Sequence, residues 1–479
     1  MEQNTNEVVK QPNALKVILD VVFIHELPSY GNKIYYGMGF LALLSLVMAL
    51  ISGIVLAFNG MTWWLQEPIG SYVRSVHTWS VQSLVAVLLL HITVVLLTSG
   101  FKASKKIVWM FGSTIFCLAL IQTEFGYGLR GDFESQWRAI SGADFWNGAY
   151  LGHWLNPNNF NQVFALHILI IPALMVVLFF FHFLLEKSYG ISKPYRSDVE
   201  YEMVPANHKI MFARGGVLIA IILVLSAVFP SPFDAPYSAA RVAQEDSNLL
   251  GQTILQEFDH TSDTATYLVS INPYTFDTRE AYVDIPYKQY IAATGGVDML
   301  NIYFSLPPDT QQTVLDEAKS YFNDNSTVSA VSVSSNPIIL TVNALVEMAR
   351  SGLYDAAINQ EDQNSNPTRL LRFLSDTGVM DIEAARIHMS TEEWGMAREM
   401  SVPGLHALGS WWFAPIGALN STVLHEDENG DRDAAAILGV FMILFILFPF
   451  IPVLNRIPEK LNLARFIWRK EKSKDGETK

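Results

Sequence analysis

The amino-acid sequence contains apolar stretches that are each long enough to cross the hydrocarbon core of a lipid bilayer. A helical span needs about 20 largely apolar residues to cross about 30 Å of hydrocarbon. The stretches lie near residues 34–58, 77–99, 105–124, 163–185, 211–229 and 434–454. The sequence therefore predicts an all-α, multi-pass membrane protein with about six spans.

The composition agrees with this prediction and excludes several classes of protein. Hydrophobic residues make up 50% of the chain and charged residues only 16%, which is typical of a membrane protein with a polar part. The net charge of −14 argues against binding to nucleic acid, which requires a basic face. Because Cys117 is the single cysteine, the chain can form neither an internal disulfide nor an iron–sulfur cluster on its own thiolates.

Positively charged residues predict which side of the membrane each connecting segment faces, because cytoplasmic segments carry an excess of Lys and Arg. Basic residues follow the second span, separate the fourth from the fifth, and fill the tail after the last. They include Lys102, Lys105, Lys106, Lys187, Lys193, Arg196, Lys209, Arg214, Arg456, Lys460, Arg465, Arg469 and Lys470. With six spans, both termini are predicted to be cytoplasmic, in an inner or plasma membrane.

An acidic segment between the last two predicted spans is expected to fold outside the membrane. Residues 231–433 contain roughly 29 acidic and 10 basic residues. Within this segment, 315–322 and 340–349 have helical periodicity, whereas 328–333 alternates like a short strand. We therefore predict a mainly helical soluble domain, inserted at about 235–405 on the extracytoplasmic side.

Four histidines lie inside two of the predicted spans, where ionisable side chains are costly and usually functional. His77 and His91 are 14 residues apart in the second span, and His167 and His182 are 15 apart in the fourth. At about 100° and 1.5 Å per residue, each pair lies broadly on one helix face, about 21–23 Å apart along the axis. In an up-down bundle, His77 would meet His167 near the outer surface, and His91 would meet His182 near the cytoplasmic surface.

Two facing pairs of imidazoles would supply the axial ligands of two haem b irons. Zinc is less suitable, because its ligands cluster around one point. The alternative is that each histidine forms its own hydrogen bonds within the bundle. The matching offsets of the two pairs favour haem.

Glycines at a similar spacing support this prediction. Gly39 and Gly53 are 14 residues apart in the first span, and so are Gly112 and Gly126 in the third. A residue without a side chain lets a flat macrocycle approach the backbone, although glycine also serves helix packing alone. Arg74 lies three residues before His77, where it could pair with a haem propionate or anchor the helix at the interface.

The sequence resembles the cytochrome b family, and most closely its short b6 type. The motifs are Arg74-Ser75-Val76-His77-x-Trp79, Leu97-Thr98-Ser99-Gly100-Phe101-Lys102, Gly126-Tyr127-x-Leu129, Leu166-His167, Pro172, His182 and Gly190-Ile191-Ser192. The resemblance covers about residues 14–195. It implies a four-helix transmembrane bundle with two bis-histidine haems, and quinone sites near both membrane surfaces.

The C-terminal part resembles the family's second part more faintly. Gly409-Ser410-Trp411-Trp412-Phe413-x-Pro415 is similar to the quinol-site motif Pro-Glu-Trp-Tyr followed by Phe-x-Pro. The predicted parts are then an N-terminal interfacial segment at 1–33, the four-helix core at 34–200, a fifth span at 201–234, the insertion at 235–405, and the motif with the last span and basic tail at 406–479. Within the first part, 14–28 is predicted as an amphipathic interfacial helix, with a buried soluble helix as the alternative.

The quinol-site motif departs from the family at the residue that accepts a proton. The family has a glutamate where this chain has Ser410, and a serine hydroxyl is not a base near neutral pH without help. The candidates for the catalytic site are Asp132, Glu134, Ser410 and Trp411, with Glu124 as a further acid. The candidates for quinone contact are Asp20, Lys187, Trp411 and Trp412.

These features give one leading hypothesis and two alternatives. In the first, the chain is the di-haem cytochrome b subunit of a bc-like, quinol-oxidising complex, in which Rieske-type iron–sulfur or cytochrome c subunits accept electrons. That complex is expected to be homodimeric and surrounded by lipid. In the second, the chain carries electrons linearly between the quinone pool and an extracytoplasmic partner. In the third, it is a non-catalytic, haem-containing assembly or binding subunit.

Overall fold

The computed structural model describes residues 26–148, 150–191, 202–266, 276–323, 335–360, 368–387, 389, 398–402, 405–425, 427 and 430–467. Up to residue 230, the helices are α1 (Met38–Asn59), α2 (Met61–Gln66), α3 (Pro68–Leu97), α4 (Lys106–Gly128), α5 (Phe133–Gly148), α6 (Phe160–Tyr189) and α7 (His208–Val228). A short strand β1 (Glu26–Pro28) pairs antiparallel with β2 (Met203–Pro205).

The helices after residue 230 are mostly short. They are α8 (Ala239–Glu245), α9 (Ser247–Phe258), α10 (Ile285–Thr294), α11 (Met299–Ser305), α12 (Pro308–Asn323), α13 (Pro337–Arg350), α14 (Leu353–Gln360), α15 (Thr368–Asp376), α16 (Val379–Arg386), α17 (Ala414–Asn420), α18 (Gly430–Leu447) and α19 (Ile457–Lys460). Strand β3 (Arg398–Val402) pairs antiparallel with β4 (Leu405–Leu408).

Among the residues that the structure describes, six helices are long and apolar enough to cross a membrane, as predicted. They are Met38–Asn59, Pro68–Leu97, Lys106–Gly128, Phe160–Tyr189, His208–Val228 and Arg432–Phe450. The second begins nine residues earlier than the sequence predicts. Residues 68–76 are too polar to register as an apolar stretch, but Pro68 occupies the first turn of α3, where its fixed φ angle suits a helix and its missing N–H costs nothing.

The chain divides into two compact units. Unit 1 comprises residues 1–119, 173–230 and 442–479. In this unit α1 packs against α3 through Leu41 and Leu84, and the Ser45 and Ser83 hydroxyls lie 2.9 Å apart between the two helices. The indole of Trp79 on α3 donates a 2.8 Å hydrogen bond to the carbonyl of Phe229, just after α7. These polar side chains therefore pair within the bundle, as a lipid environment requires.

Unit 2 comprises residues 120–172 and 231–441, a range that includes the whole predicted insertion at 235–405. Its core is built from helices α8 to α16, and it also includes Phe133 and Ile140 of α5. The Trp137 indole donates a 3.0 Å hydrogen bond to the carbonyl of Met389. The core therefore extends beyond residues 235–405 and takes in a helix that the sequence assigns to the four-helix region.

The predicted secondary structure of the acidic segment is confirmed where the structure describes it. The helical stretches 315–322 and 340–349 lie inside α12 and α13. The predicted strand at 328–333 lies outside the described residues, as do Asp20 and most of the predicted amphipathic helix at 14–28.

Candidate functional site

The four membrane histidines lie on α3 and α6, and the structure holds three of them in the same way. Nδ1 of His77, His167 and His182 lies 3.0 Å from the carbonyl oxygens of Ala49, Gln122 and Val108, respectively. A carbonyl can only accept, so Nδ1 carries the hydrogen in each case. The other ring nitrogen, Nε2, is then left with a lone pair that can bind a metal.

Each accepting carbonyl belongs to the residue four positions before one of the predicted glycines. Ala49 precedes Gly53 on α1, while Val108 and Gln122 precede Gly112 and Gly126 on α4. The carbonyl of a helical residue points along the axis toward the residue four positions later. One helix turn therefore offers both the acceptor for an imidazole and the space beside it.

The glycines lie directly against the histidine rings. A Cβ atom on Gly126 would lie 2.6 Å from Cε1 of His167, and one on Gly112 would lie 2.9 Å from Cε1 of His182. At Gly53 the corresponding distance to Cε1 of His77 is 3.0 Å, and at Gly39 the distance to Cε1 of His91 is 3.7 Å. Carbon atoms normally approach to about 3.5–4.0 Å, so a methyl group at the first three positions would displace the imidazole.

His91 and His182 line one cleft inside unit 1. The cleft has a volume of about 60 Å³ and is otherwise lined by Gly39, Ala42, Leu43, Leu46, Leu84, Leu88, Ile92, Gly112, Ile115, Met175 and Phe179. The two imidazoles are the only ionisable groups in this lining, which suits a flat, apolar, metal-containing group.

His77 belongs to unit 1 and His167 to unit 2, so their pairing stays a prediction. The same holds for the pairing of Arg74 with a haem propionate. Arg74 itself lies on α3 and is 6% exposed, which is unusual for a cation placed near a membrane surface.

A second cluster of interest surrounds Ser410 in unit 2. The Ser410 side chain is fully buried, and its hydroxyl accepts a 2.5 Å hydrogen bond from Nη2 of Arg138. Arg138 also forms ion pairs with Glu134 at 2.8 Å and Glu124 at 3.0 Å. Burial alone would lower the pKa of Arg138, but attraction by the two carboxylates outweighs it and raises that pKa, so the guanidinium stays charged.

Two of the predicted proton acceptors have structural partners. Asp132 is fully buried, accepts a 3.0 Å hydrogen bond from the backbone N–H of Ser135, and pairs with Arg130 at 2.9 Å. It therefore caps the N-terminus of α5. The Glu134 side chain is only 7% exposed and bridges Arg130 and Arg138. Glu124, with 23% of its side chain exposed, is the most accessible acid of the cluster.

The predicted quinone contacts have different surroundings. Trp412 is buried, and its indole donates a 3.0 Å hydrogen bond to the Thr123 hydroxyl on α4. Trp411 packs edge-on against it, with the ring centroids 5.5 Å apart. Lys187 lies in the last turn of α6. Contact of these residues with quinone stays a prediction.

Arg138, which joins the acids of α4 and α5 to Ser410, was not among the predicted site residues. The sequence does indicate that Arg138 pairs with Glu134. Arg130, Glu134 and Arg138 are spaced four residues apart, and opposite charges at that spacing on a helix contact each other.

Fold and site together define a multi-pass helical membrane protein whose histidines line an apolar cleft. Residues 82–236 match the family model described as "Cytochrome b(N-terminal)/b6/petB". The cytochrome b6 of Heliomicrobium gestii is 28% identical over 192 residues, which is 36% of this chain and 90% of that protein. The cytochrome b6 of Acaryochloris marina is 25% identical over 202 residues, 38% of this chain and 94% of that protein.

A solved chain of a hyperthermophilic respiratory Complex III aligns with a TM-score of 0.40 at 15% identity, covering 80% of this chain and 98% of its own. Through the segment that the family model matches, this protein is similar to the cytochrome b/b6 family.

Proposed function

We propose that the protein is the di-haem cytochrome b subunit of a bc-like quinol-oxidising complex. In this role it carries electrons across the membrane between quinone and redox partner subunits. The observation that carries the proposal is the apolar cleft that His91 and His182 line together. Iron held by two neutral imidazoles supplies reversible one-electron transfer.

The residues of the cleft fit a haem by their chemistry. For His182, the hydrogen bond from Nδ1 to the Val108 carbonyl fixes the ring and directs Nε2 away from that helix. The aliphatic lining excludes water, and Gly112 leaves room beside the imidazole. His77 and His167 have the same carbonyl-and-glycine surroundings, which supports a second haem of the same kind.

The partners of this proposal follow from what the chain lacks. Its single cysteine cannot hold an iron–sulfur cluster, so a Rieske-type or cytochrome c subunit would accept the electrons. With cytoplasmic termini and the acidic segment 235–405 outside, that subunit would dock on the extracytoplasmic side. The complex would be a homodimer in the membrane.

Linear electron transfer without bifurcation is the second candidate, and the contacts of Ser410 favour it. Its buried hydroxyl is held by the Arg138 guanidinium, which is a poor neighbour for a proton acceptor because a positive charge opposes protonation. Glu124 is the acid through which the first candidate would release its proton. Extra reduction of haem b when oxidant is added with a quinone-site inhibitor would favour bifurcation, and its absence would favour the linear path.

Replacement of an inner histidine tests the haem assignment. We expect His182→Ala to remove about half of the haem extracted per chain, because one of two bis-histidine sites loses a ligand. Pyridine haemochrome assay and reduced-minus-oxidised spectra of the purified complex measure this. His153→Ala, which removes an exposed histidine outside the spans, is the control and should leave haem content unchanged. Equal haem content in both variants would contradict the proposal.

A further inference from the structure

A basic cleft lies in unit 1, away from the membrane histidines. It has a volume of about 460 Å³ and is lined by Lys102 and Lys106, which lead into α4, and by Arg456, Glu459 and Lys460, which follow α18. The two chain segments adjoin membrane-spanning helices, so the cleft belongs to the membrane surface rather than to the bundle interior.

The charge of this cleft suits a phosphate group. Four basic side chains and one acidic side chain line it, so its net charge is +3. Glu459 forms an ion pair with Lys102, and Nζ of Lys106 lies 5.6 Å from the ring centroid of Phe450. Arg456 and Lys460 are both exposed and complete the set of cations. The cleft thus combines one guanidinium with several ammonium groups, and these are the groups with which proteins bind phosphate oxygens.

Exposed apolar side chains accompany these cations. Phe450 is 42% exposed, Val453 75%, Ile457 38% and Leu461 58%. They recur every three or four residues along the segment that follows α18. Apolar and basic residues therefore alternate along the same segment. A segment that presents cations and apolar side chains together is typical of the membrane interface, where it contacts headgroups and acyl chains at once.

We propose that this cleft binds the headgroup phosphate of an anionic phospholipid, whose acyl chains lie along Phe450, Val453, Ile457 and Leu461. The apolar side chains favour a lipid over a soluble phosphate, which has no apolar part to cover them. Basic pockets beside membrane helices on the cytoplasmic side bind anionic headgroups. The predicted orientation puts the cleft on that side.

Lipid titration of the full chain in detergent, followed by native mass spectrometry, tests this proposal. The probes are phosphatidylglycerol and phosphatidylcholine of the same chain length. The variant is Arg456→Gln with Lys460→Gln. At low ionic strength we expect it to bind phosphatidylglycerol about 30-fold more weakly, with phosphatidylcholine binding unchanged.

The control removes the same charge elsewhere in unit 1, through Lys33→Gln with Lys209→Gln, two exposed residues outside the cleft. It should bind both lipids like the unmodified chain. The proposal is overturned if the control loses as much affinity as the cleft variant, or if the cleft variant binds both lipids equally weakly. Displacement of phosphatidylglycerol by an equal concentration of inorganic phosphate would identify a soluble-anion site instead, and would also overturn it.

Discussion

At the scale of single residues, a repeated arrangement positions the membrane histidines. A helical carbonyl accepts the Nδ1 hydrogen, and the glycine four residues later makes room for the ring. His91 departs from this arrangement. The residue four positions before Gly39 is Tyr35, which precedes the start of α1 at Met38. Among the described residues, none accepts a hydrogen bond from His91.

Adding one methyl group at Gly126 should disrupt a histidine site. Its Cβ would lie 2.6 Å from Cε1 of His167, so Gly126→Ala forces the ring or the helix to move, at a cost of about 1–3 kcal/mol. We expect weaker haem retention and an altered α-band, measured by optical spectra of the purified complex. Gly439→Ala is the control, because nothing lies within 4 Å of the added atom. Identical spectra for the two variants would refute the steric argument.

The histidines and glycines were predictable from the sequence because their spacing is a local property of each helix. The hydrogen bonds from His77 and His167 to the carbonyls of Ala49 and Gln122 were not predictable. They depend on the register in which two helices pack, and no local pattern specifies that register. The contact of Arg138 with Ser410 was not predictable for the same reason, since it joins residues 272 positions apart.

At the scale of secondary-structure elements, α6 contains one irregular turn that explains its histidine spacing. Residues Leu166–Ile170 form a π-helical turn, closed by a hydrogen bond from the N–H of Ile171 to the carbonyl of Leu166. Such a turn holds one extra residue, so a spacing of 15 in α6 serves the same geometry as a spacing of 14 in α3. Pro172 follows directly, and its missing N–H disrupts the regular α-helical bonding there.

The N-terminal cap of α5 gives a prediction at the same scale. Asp132→Ala should lower the free energy of unfolding by about 1–2 kcal/mol, because the Ser135 N–H and Arg130 both lose their acceptor. Asp132→Asn keeps the cap and should lose less. Thermal unfolding of the purified chain measures both.

Quinol oxidation by the same variants separates the capping role of Asp132 from a catalytic one. If Asp132 only caps α5, the Asp132→Asn variant should retain most of its quinol-oxidation turnover. Near-complete loss of turnover in a normally stable Asp132→Asn protein would instead identify Asp132 as the proton acceptor.

At the scale of the whole molecule, a buried acid pair makes the stability of unit 2 depend on pH. Burial, together with the facing carboxyl group of Asp376, raises the pKa of Glu257 well above its ordinary range. Glu257 Oε1 and Asp376 Oδ2 are buried oxygens with no donor among the described residues. A proton on the pair would satisfy both. The folded chain therefore retains a proton that the unfolded chain releases, and stability falls as pH rises above the ordinary carboxyl pKa of about 4.5.

Replacing Glu257 with Gln should flatten this dependence. The amide carries the needed donor at every pH, so Glu257→Gln should be more stable than the unmodified chain by about 1–3 kcal/mol near pH 8, with little difference near pH 5. Thermal unfolding of the full chain across this range is the measurement. The exposed Glu280→Gln substitution should change nothing at either pH. A pH-independent effect of Glu257→Gln would rule out proton retention.

The number of membrane spans was predictable because hydropathy over about 20 residues is a local signal. The limits of unit 2 were not, because its core joins α5 to helices more than a hundred residues later. Phe133 and Trp137 look like loop residues in the sequence, and only the packed structure reveals their partners.

The shared core means that the predicted insertion at 235–405 cannot be removed without loss of packing in unit 2. Cutting the chain at residues 235 and 405 and joining the ends would leave Phe133 and Ile140, 1% and 7% exposed in the intact protein, facing water. The segment between the third and fourth spans, which contains α5, would lose its contacts with the core of unit 2. A shortened chain, engineered to resemble its smaller b6 relatives, would therefore need polar residues in place of the apolar side chains that α5 now buries.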